Sequence, residues 1–280
     1  MNGLDLRPLS IGDILDRTFS LYRRHFLLFV GIAGIPQLLL LAFSLGQTLF
    51  SWNSGDILTG ILAGTRNIAV SALVLLVYFI VALFAYLYSQ GGTTLAVSEL
   101  YLGRTTTIAE SLRNVSGDLW YLLGVAVLIG LAIIGAMILL IVPGIYVACR
   151  LLVCLPAALI EKHDAFSRSF RLTKGFVGRA FVILVLSVVL TYAAYLLLTM
   201  PAVIALAVRA GGPSMIRFWT AMTQVGASIG SILVTPILRI ATAVFYFDLR
   251  VRKEGFDLQF MMDPDAARKV PGSSGIPSIL

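Results

Sequence analysis

Charge is what this 280-residue chain has least of: Asp, Glu, Lys and Arg make up only 12% of it, about half the share usual in soluble domains. Cysteine and histidine are scarcer still, with two of each. Cys149 and Cys154 stand five apart in an apolar segment and point in different directions on a helix. That excludes a paired thiol site and leaves small apolar packing. His25 and His163 fit no His-rich or His/Cys metal spacing. Walker A, dinucleotide-fingerprint and Gly-x-Ser-x-Gly patterns are missing. The acidic residues Asp13, Asp16, Glu99, Glu110, Glu161 and Asp164 stand at the edges of apolar runs, where capping and charge balance account for them. No catalytic residue, metal site or cofactor is expected.

Apolar residues are abundant, at 59% of the chain, with a mean hydropathy of +0.94. A soluble protein of this size could not hide so much apolar surface, and disorder is excluded outside the tail. The expected class is an all-α integral membrane protein. The net charge of +7 does not indicate nucleic acid, because the basic residues sit at the ends of apolar runs. Six stretches approach the roughly 20 residues needed to cross about 30 Å of hydrocarbon: 26–50, 67–90, 119–142, 145–161, 180–208 and 224–247. Pro143 and Gly144 join the third and fourth as a hinge, so that 119–161 reads as a tight hairpin or a re-entrant segment. Pro201 predicts a kink late in the fifth.

Orientation follows from Lys and Arg. With the N-terminus in the cytoplasm, sixteen fall in inside segments, while only Arg66, Arg209 and Arg217 fall outside. Both termini are then cytoplasmic. The 25 residues before the first span carry Asp5, Asp13 and Asp16 and do not read as a cleavable leader. Three short helices on the cytoplasmic side precede spans: 10–25, 107–117 and 164–175. In the first, Ile11, Ile14, Leu15, Phe19 and Tyr22 oppose the charged residues. In the second, Ile108, Leu112, Val115 and Leu119 do so. In the third, Phe166, Phe170 and Thr173 oppose Arg168, Arg171 and Lys174. Ser10/Asp13 and Thr107/Glu110 have capping-box spacing, and Asp164 is placed to cap alone. The pattern predicts interfacial helices in a pseudo-threefold helix–hairpin repeat. The polytopic membrane domain occupies residues 1–262, and the Pro-, Gly- and Ser-rich stretch 263–280 reads as a disordered cytoplasmic tail.

Two arginines lie within spans and are the candidate ligand-binding residues. On a straight helix Arg150 is about 16 Å from Glu161, and Arg239 about 13 Å from Asp248. A guanidinium at such depth costs several kcal/mol unless it faces protein, water or an anion. The alternative is snorkelling or a packed interior arginine. After the sixth span, Asp248/Arg252 and Arg250/Glu254 have i,i+4 spacing. Gly255 offers a helix stop, and Phe256 a residue that folds back. These read as a charge-anchored terminus or as a cytoplasmic docking site. Gly60/Gly64 and Gly226/Gly230 match the close-approach spacing of packed membrane helices.

Several of these segments, taken in order, resemble one family. They are Leu6–Phe19 with Leu21-Tyr22-Arg23-Arg24; Pro143-Gly144-Ile145-Tyr146 with Arg150, Pro156 and Glu161; Ser169–Gly175; and Tyr246–Leu258. Together they resemble the bacterial glycerophosphoryl diester phosphodiesterase membrane-domain family. The resemblance implies a helical protein of the bacterial cytoplasmic (inner) membrane. It does not imply phosphodiesterase activity, which in some relatives belongs to a fused soluble domain. The expected function is a non-enzymatic membrane module that organises anionic lipid or scaffolds a protein partner on its cytoplasmic face. The alternatives are a transporter or channel-like protein for an anionic solute or lipid and, less favoured, a membrane phosphodiesterase.

Overall fold

The computed structural model describes residues 9–50, 68–101, 104–161, 164–208 and 213–254. Gly60, Gly64, Arg66, His163, Arg209, Gly255, Phe256 and the stretch 263–280 lie outside these residues. Ten helices run through the described chain: α1 Ile11–Arg24, α2 Phe26–Phe50, α3 Ile68–Tyr101, α4 Ile108–Gly117, α5 Leu119–Leu139, α6 Ile141–Leu151, α7 Cys154–Glu161, α8 Ala165–Thr173, α9 Val177–Ala207 and α10 Pro213–Glu254. Six helical segments are long and apolar enough to cross a membrane: Phe26–Thr48, Ala72–Tyr101, Leu119–Leu139, Ile141–Glu161, Val177–Ala207 and Met215–Glu254. The protein is an all-helical, multi-pass membrane protein by length and composition. Its large side chains agree: Leu27, Phe79, Ile138 and Tyr192 are exposed, as lipid-facing residues are.

The chain forms two compact units. One comprises Met1–Ile32, Leu87–Val188 and Pro236–Leu280, and its pillar is the C-terminal part of α10. From Ile240 to Leu249 every residue of that helix is buried, including Phe245 and Tyr246. A helix apolar on all sides is enclosed on all sides. The short helices pack into this unit. α1 buries Ile14, Thr18 and Tyr22, an i, i+4, i+8 stripe. The expected face is corrected at one position, since Phe19 is exposed and Thr18 takes its place, its hydroxyl satisfied by the Ile14 carbonyl at 2.7 Å. α4 lies on the small residues of α2 and α3: a Cβ at Gly31 would meet Ile108, and Cβ atoms at Gly91 and Gly92 would meet Val115 and Leu112. Glycine permits this approach by having no side chain.

Both expected capping boxes form. Ser10 Oγ accepts from the Asp13 N–H at 3.1 Å while the Asp13 carboxylate accepts from the Ser10 N–H at 2.8 Å. Thr107 and Glu110 do the same at 3.3 and 3.0 Å. Asp164 does not cap α8. Its backbone is left-handed (φ 41°) and its side chain makes no capping bond. Asp tolerates that region better than most residues, and the position just ahead of α8 uses it for that purpose. The buried face of α8 is Ala165, Ser169, Leu172 and Thr173, whereas Phe166 and Phe170 are half-buried. Small residues, not the aromatics, let this helix sit close.

The 119–161 hairpin differs from expectation in two ways. It turns at Leu140, the one extended residue between α5 and α6, not at Pro143-Gly144. Pro143 sits in the first turn of α6, where a missing N–H costs nothing. Gly144 lets the two helices close, for a Cβ there would fall 2.3 Å from Met137 Cγ. The fourth span is also two helices, broken at Leu152-Val153. α9 continues through Pro201 to Ala207.

The second unit comprises Ala33–Tyr86 and Val189–Thr235. Here α9 and α10 approach at backbone distance. A Cβ at Gly226 would lie 2.6 Å from the Leu198 carbonyl oxygen, and Gly230 faces Leu198 and Ala194. Gln224 donates to Thr48 Oγ1 at 2.8 Å, which ties α10 to α2.

Candidate functional site

Seven charged residues of the first unit, Glu161, Arg168, Arg179, Asp248, Arg250, Arg252 and Glu254, gather around the end of α10. Asp248 is the innermost. Its side chain is fully buried, which an unpaired carboxylate could not sustain. It accepts from the Leu9 N–H at 2.7 Å, from Arg179 at 3.0 Å and from Arg252 Nε at 3.0 Å. Both guanidinium groups also donate to the Leu9 carbonyl at 2.5 Å. The chain ahead of α1 is thus held at both its N–H and its C=O by two arginines and one carboxylate. The i,i+4 pair Asp248/Arg252 forms as its spacing predicts. Leu9 and Arg179, far away in sequence, leave no spacing signal.

A second network lies alongside. Arg168 from α8 bonds to both Glu161 and Glu254, and its second bond to Glu161 measures 3.0 Å. Tyr246 donates to Glu161 at 2.5 Å, and Arg250 lies 3.3 Å from Glu254 and 3.8 Å from Glu161. Burial alone would favour loss of the Arg168 proton. The hydrogen bonds and charges of Glu254 and Glu161 outweigh it and hold the guanidinium firmly charged. Asp248, Arg250, Arg252 and Glu254, the expected docking residues, therefore bind within the chain.

Arg150 behaves differently. It ends α6 just before the break, so a depth reckoned along one straight helix to Glu161 does not apply to it. Its carbonyl accepts from Ser169 Oγ at 2.6 Å and Thr173 Oγ1 at 3.3 Å, which fastens α8 across the break. Its guanidinium lies 4.9 Å from the Phe170 ring centroid and 5.8 Å from that of Tyr146, close enough for cation–π attraction. Its Nε is enclosed and finds no acceptor among the described residues. No described carboxylate pairs with it. Lys253 donates to the Arg171 carbonyl at 2.6 Å and lies 5.9 Å from the Phe176 ring. It stands within electrostatic reach of Lys174 and Arg150. Sequence reasoning singles out Arg150 but not Lys174 or Lys253, because three cations from three separate parts of the chain share no spacing.

Arg239 is 6% exposed within α10, and the Thr242 hydroxyl bonds to its carbonyl at 3.1 Å. Cys149 and Cys154 are buried free thiols, and no group of three metal-ligating side chains occurs among the described residues. Comparison with protein-family models, with curated proteins and with solved structures finds no match to this chain.

Proposed function

We propose that this protein is a non-enzymatic module of a bacterial cytoplasmic membrane that organises anionic lipid at its cytoplasmic face. The observation that carries this reading is the distribution of exposed cations. Arg23 and Arg24 on α1, Arg113 on α4, Arg171 on α8, Lys174 just after it, and Lys253 on α10 are all exposed. The carboxylates of Asp248, Glu161 and Glu254 are meanwhile engaged in internal pairs. α1, α4 and α8 each lead into a long apolar helix. In this reading they are the interfacial helices of three repeats, with both chain termini in the cytoplasm. Each cation near an anionic leaflet is worth about 1 kcal/mol of attraction. The resemblance to the phosphodiesterase membrane-domain family supports the location without supplying a catalytic set.

The test is the lipid that leaves the membrane with the protein. Extracted in polymer-bounded native membrane particles, the protein should carry phosphatidylglycerol enriched over the bulk membrane and should turn over no glycerophosphodiester, with or without divalent metal. A retained composition equal to bulk would remove the lipid-organising reading, and metal-dependent turnover would replace it with the enzymatic one. Transport of an anion is the second reading, and the burial of Arg239 favours it. It requires solvent access to cysteines placed beside that arginine.

A further inference from the structure

We propose that Arg150, Lys174 and Lys253 form a binding site for a single phosphate group, the headgroup phosphate of an anionic lipid. This inference rests on the lipid-organising reading and names the place where it operates. The end of α8 brings three cations together, and no described carboxylate pairs with any of them: Lys174 follows the helix, its Arg171 carbonyl holds Lys253, and its Ser169 and Thr173 hydroxyls hold the Arg150 carbonyl. Like charges brought together without an anion repel, so something must hold them. The anchors are visible. The Ser169 and Thr173 hydroxyls fix the Arg150 carbonyl, and the Phe170 and Tyr146 rings flank its guanidinium. The Arg171 carbonyl holds Lys253.

Arg150 also has a donor left over, since its enclosed Nε meets no acceptor among the described residues. A buried donor without a partner is unfavourable. A phosphate presents several acceptor oxygens and the charge that this group lacks, and the planar guanidinium suits it in geometry. Lys174 and Lys253 are exposed, as residues meeting a headgroup must be, and serve as point charges on the same oxygens. Tyr146, half-exposed on α6, offers an apolar flank to the adjoining acyl region.

The experiment uses the full chain in phosphatidylcholine nanodiscs doped with phosphatidylglycerol, with retained lipid counted by native mass spectrometry. Wild type should retain phosphatidylglycerol in preference to phosphatidylcholine. Lys174→Gln/Lys253→Gln removes two exposed charges and should leave thermal stability unchanged. It should cut phosphatidylglycerol retention roughly tenfold or more, as two membrane-facing cations imply. Arg150→Lys, which keeps the charge and loses the planar fork, should fall between. Arg113→Gln, an exposed cation on α4, should retain lipid like wild type. Equal retention by the double variant and wild type would overturn the site while leaving the lipid reading intact. So would an equal loss in Arg113→Gln, because the attraction would then be diffuse. A wild type with no preference would overturn both. Inorganic phosphate titrated in the absence of phosphatidylglycerol separates the sources: binding to wild type but not to the double variant, without lipid preference, overturns the lipid assignment in favour of a soluble phosphate.

Discussion

Asp248 carries a fully buried carboxylate between Arg179, Arg252 and the backbone of Leu9. Removing one member of a buried pair leaves the remaining charge uncompensated, at a cost of about 3–5 kcal/mol. Asp248→Asn keeps the shape and removes the charge, so it should lower unfolding stability in mild detergent by that order and loosen the residues around Leu9. Arg104→Gln, which breaks a 3.5 Å pair to Glu99 that is about a third exposed on the arginine side, should change stability by less than about 1 kcal/mol. A chemical unfolding series on the two variants checks the ranking. Residues with local partners were the legible ones. Ser10/Asp13, Thr107/Glu110 and Asp248/Arg252 are three or four apart, a distance helix geometry fixes. Arg179 and Leu9 could not be found that way. One signal does point to the site: Asp248 ends the run Ile240–Phe247, whose only polar groups are the hydroxyls of Thr242 and Tyr246, and such a run predicts an enclosed helix and therefore an enclosed carboxylate.

At the scale of elements, glycines divide into those that permit contact and those that do not. Gly226 faces the Leu198 carbonyl oxygen so closely that even an added methyl must push α9 and α10 apart. Gly226→Ala should destabilise by about 1–3 kcal/mol. Gly124 in α5 has open space around its missing side chain, so Gly124→Ala should be neutral or stabilise by up to about 1 kcal/mol through helix propensity. Thermal unfolding of both variants in one detergent reads the contrast directly. The small-residue spacing at Gly226/Gly230 was legible, but its partner helix was not, since spacing says nothing about what lies opposite. The same limit explains the 119–161 hairpin. Pro143-Gly144 looks like a turn by composition, yet Pro is also at home in a first helical turn and Gly at a close helix contact. Those two uses prevail here. α8 differs from expectation for a related reason: its aromatics suggest a packing face, while close packing favours Ala165 and Ser169.

For the whole molecule, long apolar runs were the most legible feature, because crossing a bilayer depends on length and composition and needs no knowledge of partners. The break at Leu152-Val153 and the grouping of Arg150, Lys174 and Lys253 were not legible, since both depend on how α6, α8 and α10 meet. The central claim is that the charged end of this helical assembly faces the cytoplasm, where anionic headgroups meet its cations. α10 offers the most direct measurement, with exposed Met215 at one end and exposed Lys253 at the other. With Cys149 and Cys154 replaced by Ala, single cysteines at Met215, Leu140 and Lys253 would be probed with a membrane-impermeant maleimide in intact cells and in inverted vesicles. The account predicts labelling at position 215 only from outside and at 253 only from the cytoplasmic side. Leu140, the exposed tip of the turn between the crossing helices α5 and α6, should react from outside and not from the cytoplasmic side. Labelling of 253 from outside, or of 215 and 253 from the same side, would contradict it.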